Sequence, residues 1–221
     1  MDPTTAAAAI EEQGFTIIPG VLTETECDLL TCALGALEGR AGTRHLMHEP
    51  LVRALAHDPR LRSIAGDGVP FRATLFTKTS QANWLIPWHQ DTALPLFEKF
   101  DEPDWGPWSR KAGVWYAHAP EWALRQIIAL RVHLDASNSG NGPLRVIAGS
   151  HHKLLTDAEV EGATATAAAT ACLSGRGGVI AMRPLIVHAS SKIVNDLPRR
   201  VLHIEYTPKL ELREGVLLKT A

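Results

Sequence analysis

WHQDTALPL, residues 88–96, is the stretch on which the reading of this chain turns. It follows an alternating, β-rich run and sets a histidine and an aspartate two residues apart. In an extended strand, residues i and i+2 project to the same side, so His89 and Asp91 can aim at one point. Alone, such a triplet is better explained by a solvated turn or a local hydrogen-bonded pair, because ten histidines are scattered along the chain. What surrounds the triplet decides the matter.

Upstream, Phe71 to Thr79 (FRATLFTKT) alternates and is rich in β-formers, which predicts a strand. Downstream, Ile127 to Leu134, Val179 to His188 and Val201 to Thr207 predict three more. Gly, Asn, Ser and Pro fill the gaps between them (DASNSGNGPL, SGRGG, NDLP). The N-terminal part has another texture. Asp2 and Pro3 suit a cap and first turn, Ala6 to Gln13 favours helix, and Gly14 can end it. FTII is a short strand closed by Pro19-Gly20. Thr23 to Glu26 is a capping box, and Cys27, Leu30, Leu34 and Leu37 continue with helical spacing. Leu51 to His57 predicts a shorter helix, and Asp58-Pro59 starts another turn. Ala163 to Ala171 is Ala/Thr-rich and reads as a loop or loose helix. Helices first and strands later predict an α+β fold with the helices laid against a sheet.

The chain has 221 residues, enough for one large domain with a buried core. Apolar residues at 45% and charged ones at 21% match a globular protein, and a net charge of −2 gives no reason to expect nucleic acid or an acidic membrane as partner. Three cysteines, Cys27, Cys32 and Cys172, cannot all pair, which fits a reducing compartment. No signal-peptide pattern and no membrane-length apolar run is visible, so a cytoplasmic location is expected.

Beyond the triplet, GGVIAMRPLIVHAS ends a strand-like segment on His188. Two histidines and one carboxylate make the facial triad of non-haem Fe(II) oxygenases. Ser190 and Arg199 follow in HASSKIVNDLPRR, and an arginine fork suits a carboxylate bidentately. Four stretches then carry a family likeness: EEQGFTIIPGVLTETEC, LFTKTSQANWLIPWHQD, LRVHLDASNSGNGPLRVIAGSH and RPLIVHASSKIVNDLPRR. In these, spread from about residue 11 to 206, the chain resembles the phytanoyl-CoA dioxygenase-like family of Fe(II)/2-oxoglutarate oxygenases.

The resemblance implies a double-stranded β-helix, a jelly-roll or cupin-like barrel with N-terminal helices outside it and the metal in its mouth. It implies His89, Asp91 and His188 as iron ligands, and 2-oxoglutarate and dioxygen as cosubstrates. It makes Arg199 the grip on the distal carboxylate of 2-oxoglutarate, helped by Ser190. Gln90 would touch the cosubstrate through its backbone, and Thr74 would line its pocket. Arg131 falls where many relatives carry a bulky inward residue. The alternation Ile127, Ala129, Arg131, His133 would turn it inward, where a buried arginine must meet a carboxylate; the alternative is an outward arginine on a sheet face. Halogenating relatives have a small residue at the Asp91 position, so a carboxylate there points to hydroxylation of a small-molecule substrate.

Three departures stand out. Ala148-Gly-Ser-His replaces the usual P-G-S-H turn, Gly177-Gly178 replaces a Gly-Asp, and the segment from about 92 to 126 is long and rich in aromatics. Trp105, Trp108, Trp115, Tyr116 and Trp122 form either a mobile lid over substrate, the favoured expectation, or a satellite core. Arg44, Arg72, Arg125 and Arg145 could serve an anionic group or lie on the surface, and His45 and His48 read as solvated. Two rivals remain: a cupin-like metal-dependent hydrolase or isomerase without keto acid, and a non-catalytic β-barrel that binds a ligand.

Overall fold

A computed structural model describes residues 3–35 and 42–221. The expectations placed on Asp2 and Leu37 lie outside the described residues. Along the chain run α1 (Pro3–Gln13), β1 (Phe15–Ile18), α2 (Glu24–Leu34), β2 (Gly42–Thr43), α3 (Pro50–Ala56) and α4 (Pro59–Ile64). Then come β3 (Val69–Lys78), β4 (Ile86–His89), β5 (Ala93–Leu96), β6 (Trp108–Lys111), β7 (Val114–His118) and α5 (Glu121–Leu124). The second half holds β8 (Ile128–His133), β9 (Leu144–Val146), α6 (Asp157–Thr166), β10 (Thr170–Cys172), β11 (Val179–Met182) and β12 (His188–Ser190). It closes with β13 (Arg199–Thr207), β14 (Glu211–Arg213) and β15 (Val216–Leu217).

Two antiparallel sheets face each other. The larger has the order β1-β11-β8-β13-β3-β2 and the smaller β10-β9-β12-β4. This is the double-stranded β-helix, and it is α+β as expected. Alternation assigns each face. Ala73, Leu75, Leu130, Val132, Leu202 and Ile204 point away from the barrel and join Cys27, Leu30 and Leu34 of α2 and Val52 and Leu61 of α3 and α4 in one core. Between the sheets, Ala129, Leu144, Val146, Ile180, Met182 and Ile186 form a second apolar layer.

Local signals explain the helix ends. Thr23 caps α2 while Glu26 returns to the Thr23 backbone, the reciprocal box that satisfies two orphan N–H groups. Gly14 ends α1 at φ +81, where its N–H reaches the Ile10 carbonyl. Part of the Ala/Thr stretch is helical: α6, capped by Thr156 and Glu159, runs to Thr166 with no buried residue, and β10 follows.

Two expectations need correction. Val179 to His188 is not one strand. A turn closed by the Ile186 N–H on the Arg183 carbonyl separates β11 from β12, and the two strands belong to different sheets. Pro184 sits in that turn and cannot donate to a ladder. The Trp-rich segment, expected as a loop that folds over, is instead built into a sheet and packed. β5, β7 and β6 make a three-stranded sheet, and Trp105 is 7% exposed. Trp105, Trp108 and Trp122 pack with Phe71, Leu124, Leu212 and Val216 in a separate apolar cluster. Large aromatic rings bury most area by joining such a core, which is the satellite-packing alternative. No helix among the described residues is long and apolar enough to cross a membrane.

Candidate metal centre

The centre lies between the sheets where β4 meets β12. His188 is the cross-strand partner of His89, and their rings stand 4.2 Å apart. Asp91 bridges them: its carboxylate oxygens are 3.6 Å from His89 Nε2 and 3.5 Å from His188 Nε2. One ligand atom from each residue lies within 4.8 Å of the others. Cis ligands around an ion at roughly 2.1 Å are about 3 Å apart, so a small contraction would close the set.

The backbone fixes how each imidazole faces. His89 Nδ1 is 2.8 Å from the Pro87 carbonyl, and His188 Nδ1 is 2.8 Å from the Ile186 carbonyl. A carbonyl only accepts, so each Nδ1 carries the proton and donates. That leaves both Nε2 lone pairs turned toward Asp91, the orientation a metal ligand needs. Burial presses His188 down to about 4, so it is neutral. Burial also presses on His89, but Asp91 beside it more than offsets this and raises it. Burial would raise Asp91, yet the two histidines hold it well below its ordinary range. A half-buried carboxylate set between two imidazoles, with Arg131 and Arg72 acting on it only through their charge, is a donor set for a divalent metal, so the residues fit an iron ion.

Around the centre, the inner face of the larger sheet is built in rungs. Arg199 pairs with Lys78, Val201 with Phe76 and His133, His203 with Thr74 and Arg131, and Glu205 with Arg72 and Ala129. Arg199 is 1% exposed. Its Nη2 donates to Ser190 Oγ at 3.3 Å, while Nε and Nη1 have no partner. Burial and the nearby Arg131 charge press it below its usual range. Arg199, Ser190 and Arg131 line the same cavity as the three ligands. Unspent buried guanidinium N–H groups beside a metal site fit a carboxylate, as 2-oxoglutarate would present.

Arg131 does turn inward, but among the described residues no carboxylate pairs with it directly, and Asp91 acts on it only through its charge. Its Nη1 is 3.3 Å from His203 Nδ1, its guanidinium lies over the Phe76 ring at 5.5 Å, and its Nε has no partner. Thr74 is buried opposite His203, one rung from Phe76, which is the cavity-lining residue of that strand. The Gln90 side chain points the other way. It donates to the Lys153 and Leu185 carbonyls and accepts from Leu155 N–H, clamping the loop before α6. A cleft of about 730 Å³ opens on that side; it shares only His89 with the metal cavity and carries Asp104, Asp157 and Glu161.

Lys78 was missed. It is fully buried, donates to Ser190 Oγ at 2.7 Å and to the Ser191 carbonyl, and lies 4.7 Å from the Trp84 ring. Burial, then the charges of Arg199 and Arg131, press it down to about 7. The signal was available, because the alternation Arg72, Thr74, Phe76, Lys78 puts it on the inner face. Ser190 Oγ, which accepts from both cations, donates its own proton to the Gly142 carbonyl at 2.9 Å. It therefore holds Lys78 and Arg199 in place. Of the other sequence candidates, Arg125 is an exposed partner of Glu121 and Arg145 lies over the Trp88 ring. His48 is exposed, but His45 is part-buried and bonded to Tyr116 Oη at 2.9 Å.

The family model described as phytanoyl-CoA dioxygenase (PhyH) matches residues 10–201. No curated protein matches the chain significantly. Among solved structures, AviO1 from Streptomyces viridochromogenes Tue57 is similar at 23% identity and TM-score 0.69, with 93% of this chain and 95% of that one covered. EctD from S. alaskensis with bound Fe is similar at 20% identity and TM-score 0.72, with 99% and 79% covered. SnoK, an alpha-ketoglutarate-dependent carbocyclase from nogalamycin biosynthesis, follows at 19% identity and TM-score 0.67, with 92% and 83% covered. At these identities the likeness establishes a shared fold.

Proposed function

The chain belongs to the phytanoyl-CoA dioxygenase family, and from that premise we propose that it is an Fe(II)- and 2-oxoglutarate-dependent dioxygenase. In this reading it hydroxylates a C–H bond of a small molecule and releases succinate and carbon dioxide. The observation that carries it is the coincidence, in one cavity, of the backbone-oriented triad His89, Asp91 and His188 with the buried, unspent guanidinium of Arg199. EctD, solved with Fe and also with 2-oxoglutarate and 5-hydroxyectoine, supports the choice of cofactors.

His89, Asp91 and His188 hold the iron, with the Pro87 and Ile186 carbonyls locking both imidazoles in the ligating tautomer. Arg199 takes the distal carboxylate of 2-oxoglutarate. Lys78 adds charge beside it, and Ser190 positions both cations. Arg131, lacking a carboxylate of its own, faces the remaining negative charge of the cosubstrate. Thr74 stands beside His203 on the inner wall, and Gln90 braces the strand that carries His89 and Asp91. When bound, iron and the keto acid together activate dioxygen for attack on substrate. Phe76, Trp84, Ile86 and Leu144 shield the cavity from water. Because Asp91 occupies the carboxylate position, no metal position is left for a halide, which favours hydroxyl transfer. The packed Trp-rich segment, 92–126, forms a fixed wall of one oxygenase domain spanning 1–221. Three free cysteines suit a cytoplasmic setting.

The test is a substrate screen under air with Fe(II) and 2-oxoglutarate, following succinate and product mass. Succinate that depends on iron, with a product heavier by one oxygen, supports the reading. A product that gains no oxygen refutes the hydroxylase, and absence of iron-dependent succinate refutes the oxygenase.

A further inference from the structure

Where the three-stranded sheet meets the Arg72 end of the barrel's inner face lies a second group of cations that the iron and 2-oxoglutarate leave unused. Its floor is Tyr116, 2% exposed. His45 stacks on the Tyr116 ring at 6.0 Å and bonds to its hydroxyl. Lys111 Nζ lies 4.9 Å from the ring centroid and the Arg72 guanidinium 5.9 Å. Arg44 precedes His45 in the chain and acts electrostatically on His45, Lys111 and Tyr116. Glu205 neutralises Arg72. Among the described residues no carboxylate pairs with Arg44, His45 or Lys111.

A solvated basic surface is the ordinary explanation for such a group; Arg44 is exposed, but burial tells against it for the two cations that lie on the Tyr116 floor. His45 and Lys111 are both only partly exposed, and burial, followed by the charges of Arg44 and Arg72, depresses both. The group also adjoins the metal cavity. Gly42 pairs with Phe76 across β2 and β3 and lies against the ring that lines the cavity, and Arg44 follows two residues on, just past the end of β2. Arg72 donates to the Ala93 carbonyl, two residues past Asp91, at 2.7 Å.

The keto acid does not reach this place. From the Arg199 rung to the Glu205–Arg72 rung is six residues of β13, roughly 20 Å at about 3.3 Å per residue. The triad shares its cavity with Arg199, and neither Arg72 nor Tyr116 lines that cavity. A five-carbon diacid gripped at Arg199 ends at the metal. We propose that the substrate carries an oxyanion, a carboxylate, phosphate or sulfate, held by Arg44 and Lys111 with His45 on the Tyr116 floor. The proposal deepens, and rests on, the reading of the triad as an oxygenase centre. The acidic cleft beyond β4, with Asp104, Asp157 and Glu161, would repel the same group.

The first arm of the test needs neither iron nor keto acid. The His45 imidazole resonances of the metal-free protein are followed while inorganic phosphate, sulfate or acetate is added at constant ionic strength, which also ranks the three oxyanions. A saturable shift should appear. It should weaken roughly tenfold or more in Arg44→Gln/Lys111→Met and persist in Arg199→Ala. A response unchanged in the double variant, or abolished by Arg199→Ala, overturns the site. No saturable response to any of the three anions also overturns it. The second arm screens turnover of acids against their neutral esters. A neutral ester turned over as well as its acid overturns the substrate class. Loss of kcat/KM for acids alone in the double variant upholds it. If iron-dependent turnover is absent altogether, the oxygenase reading has failed, while the His45 arm still decides the anion site.

Discussion

Arg199→Met should move stability and ligand affinity in opposite directions. In the apo protein the guanidinium is 1% exposed, with one hydrogen bond to Ser190 and two nitrogens unpartnered. An unsatisfied buried polar group costs about 1–3 kcal/mol. Methionine is shorter but keeps an unbranched, apolar and adaptable stem while removing the unsatisfied guanidinium, so the apo variant should be more stable by up to about that amount. For a chain of this size each kcal/mol is roughly 2–4 °C in Tm. The same change removes a charge-assisted bidentate pair from the keto acid. That should cost about 2–4 kcal/mol, or roughly 30- to 1000-fold in affinity. Calorimetric titration of 2-oxoglutarate under argon and a thermal melt of the apo protein read the two numbers. Arg200→Met is the control. Arg200 donates to Asp135 at 2.7 and 2.8 Å on the outer face, so its loss should lower stability and leave keto-acid affinity alone. Wild-type affinity in Arg199→Met, with weakened affinity in Arg200→Met, would show that the anchor is assigned to the wrong residue.

Replacing His89 or His188 by alanine should abolish stoichiometric iron; metal content measured after reconstitution checks this, and full retention in both variants refutes the triad. Trp105→Ala should cost about 3–5 kcal/mol in urea unfolding, the range for deleting a buried aromatic, whereas a mobile lid would lose less than about 1. His133 gives a pH prediction. Burial, then Arg131 and Arg199, press it from 6.5 to about 3, so it stays neutral in the fold while the unfolded chain takes up a proton. Its contribution is therefore complete above about 6.5 and is lost as pH falls from there toward 3, at about 1.4 kcal/mol per pH unit. His133→Phe should flatten the dependence of urea midpoints between those limits, and an unchanged slope would refute the assignment.

The parts of the site legible in sequence were those set by local geometry. His89 and Asp91 share a side because strands alternate, and the inward turn of Arg131 follows from the same rule. The capping box of α2 needed only four residues. What escaped depends on partners distant in sequence. Pro184 marks the break between β11 and β12, yet only the sheet assignments reveal that His188 changes sheet there. The tryptophans could be lid or core until Leu212 and Val216 of the C-terminal hairpin were seen packing on them. Among the described residues no carboxylate pairs directly with Arg131, because the residue opposite it on β13 is His203, while Glu205, two positions on, meets Arg72 instead.

That last mismatch bears on what the inner face is for. Arg72 is neutralised by Glu205, and Asp91 is shared by two imidazoles. Lys78, Arg131 and Arg199 are left buried, close enough to depress one another, with only hydroxyl, carbonyl, imidazole and ring partners among the described residues. A fold optimised for the empty state would not keep three such charges, because uncompensated buried charge is among the costliest features a core can hold. A dianion returns that cost on entry. Binding then contributes the direct contacts and also relieves repulsion already present, so the loaded protein should gain more stability than its contacts alone supply. The inner face is thus tuned to a bound dianion, negative at the Arg199 end and negative toward Arg131.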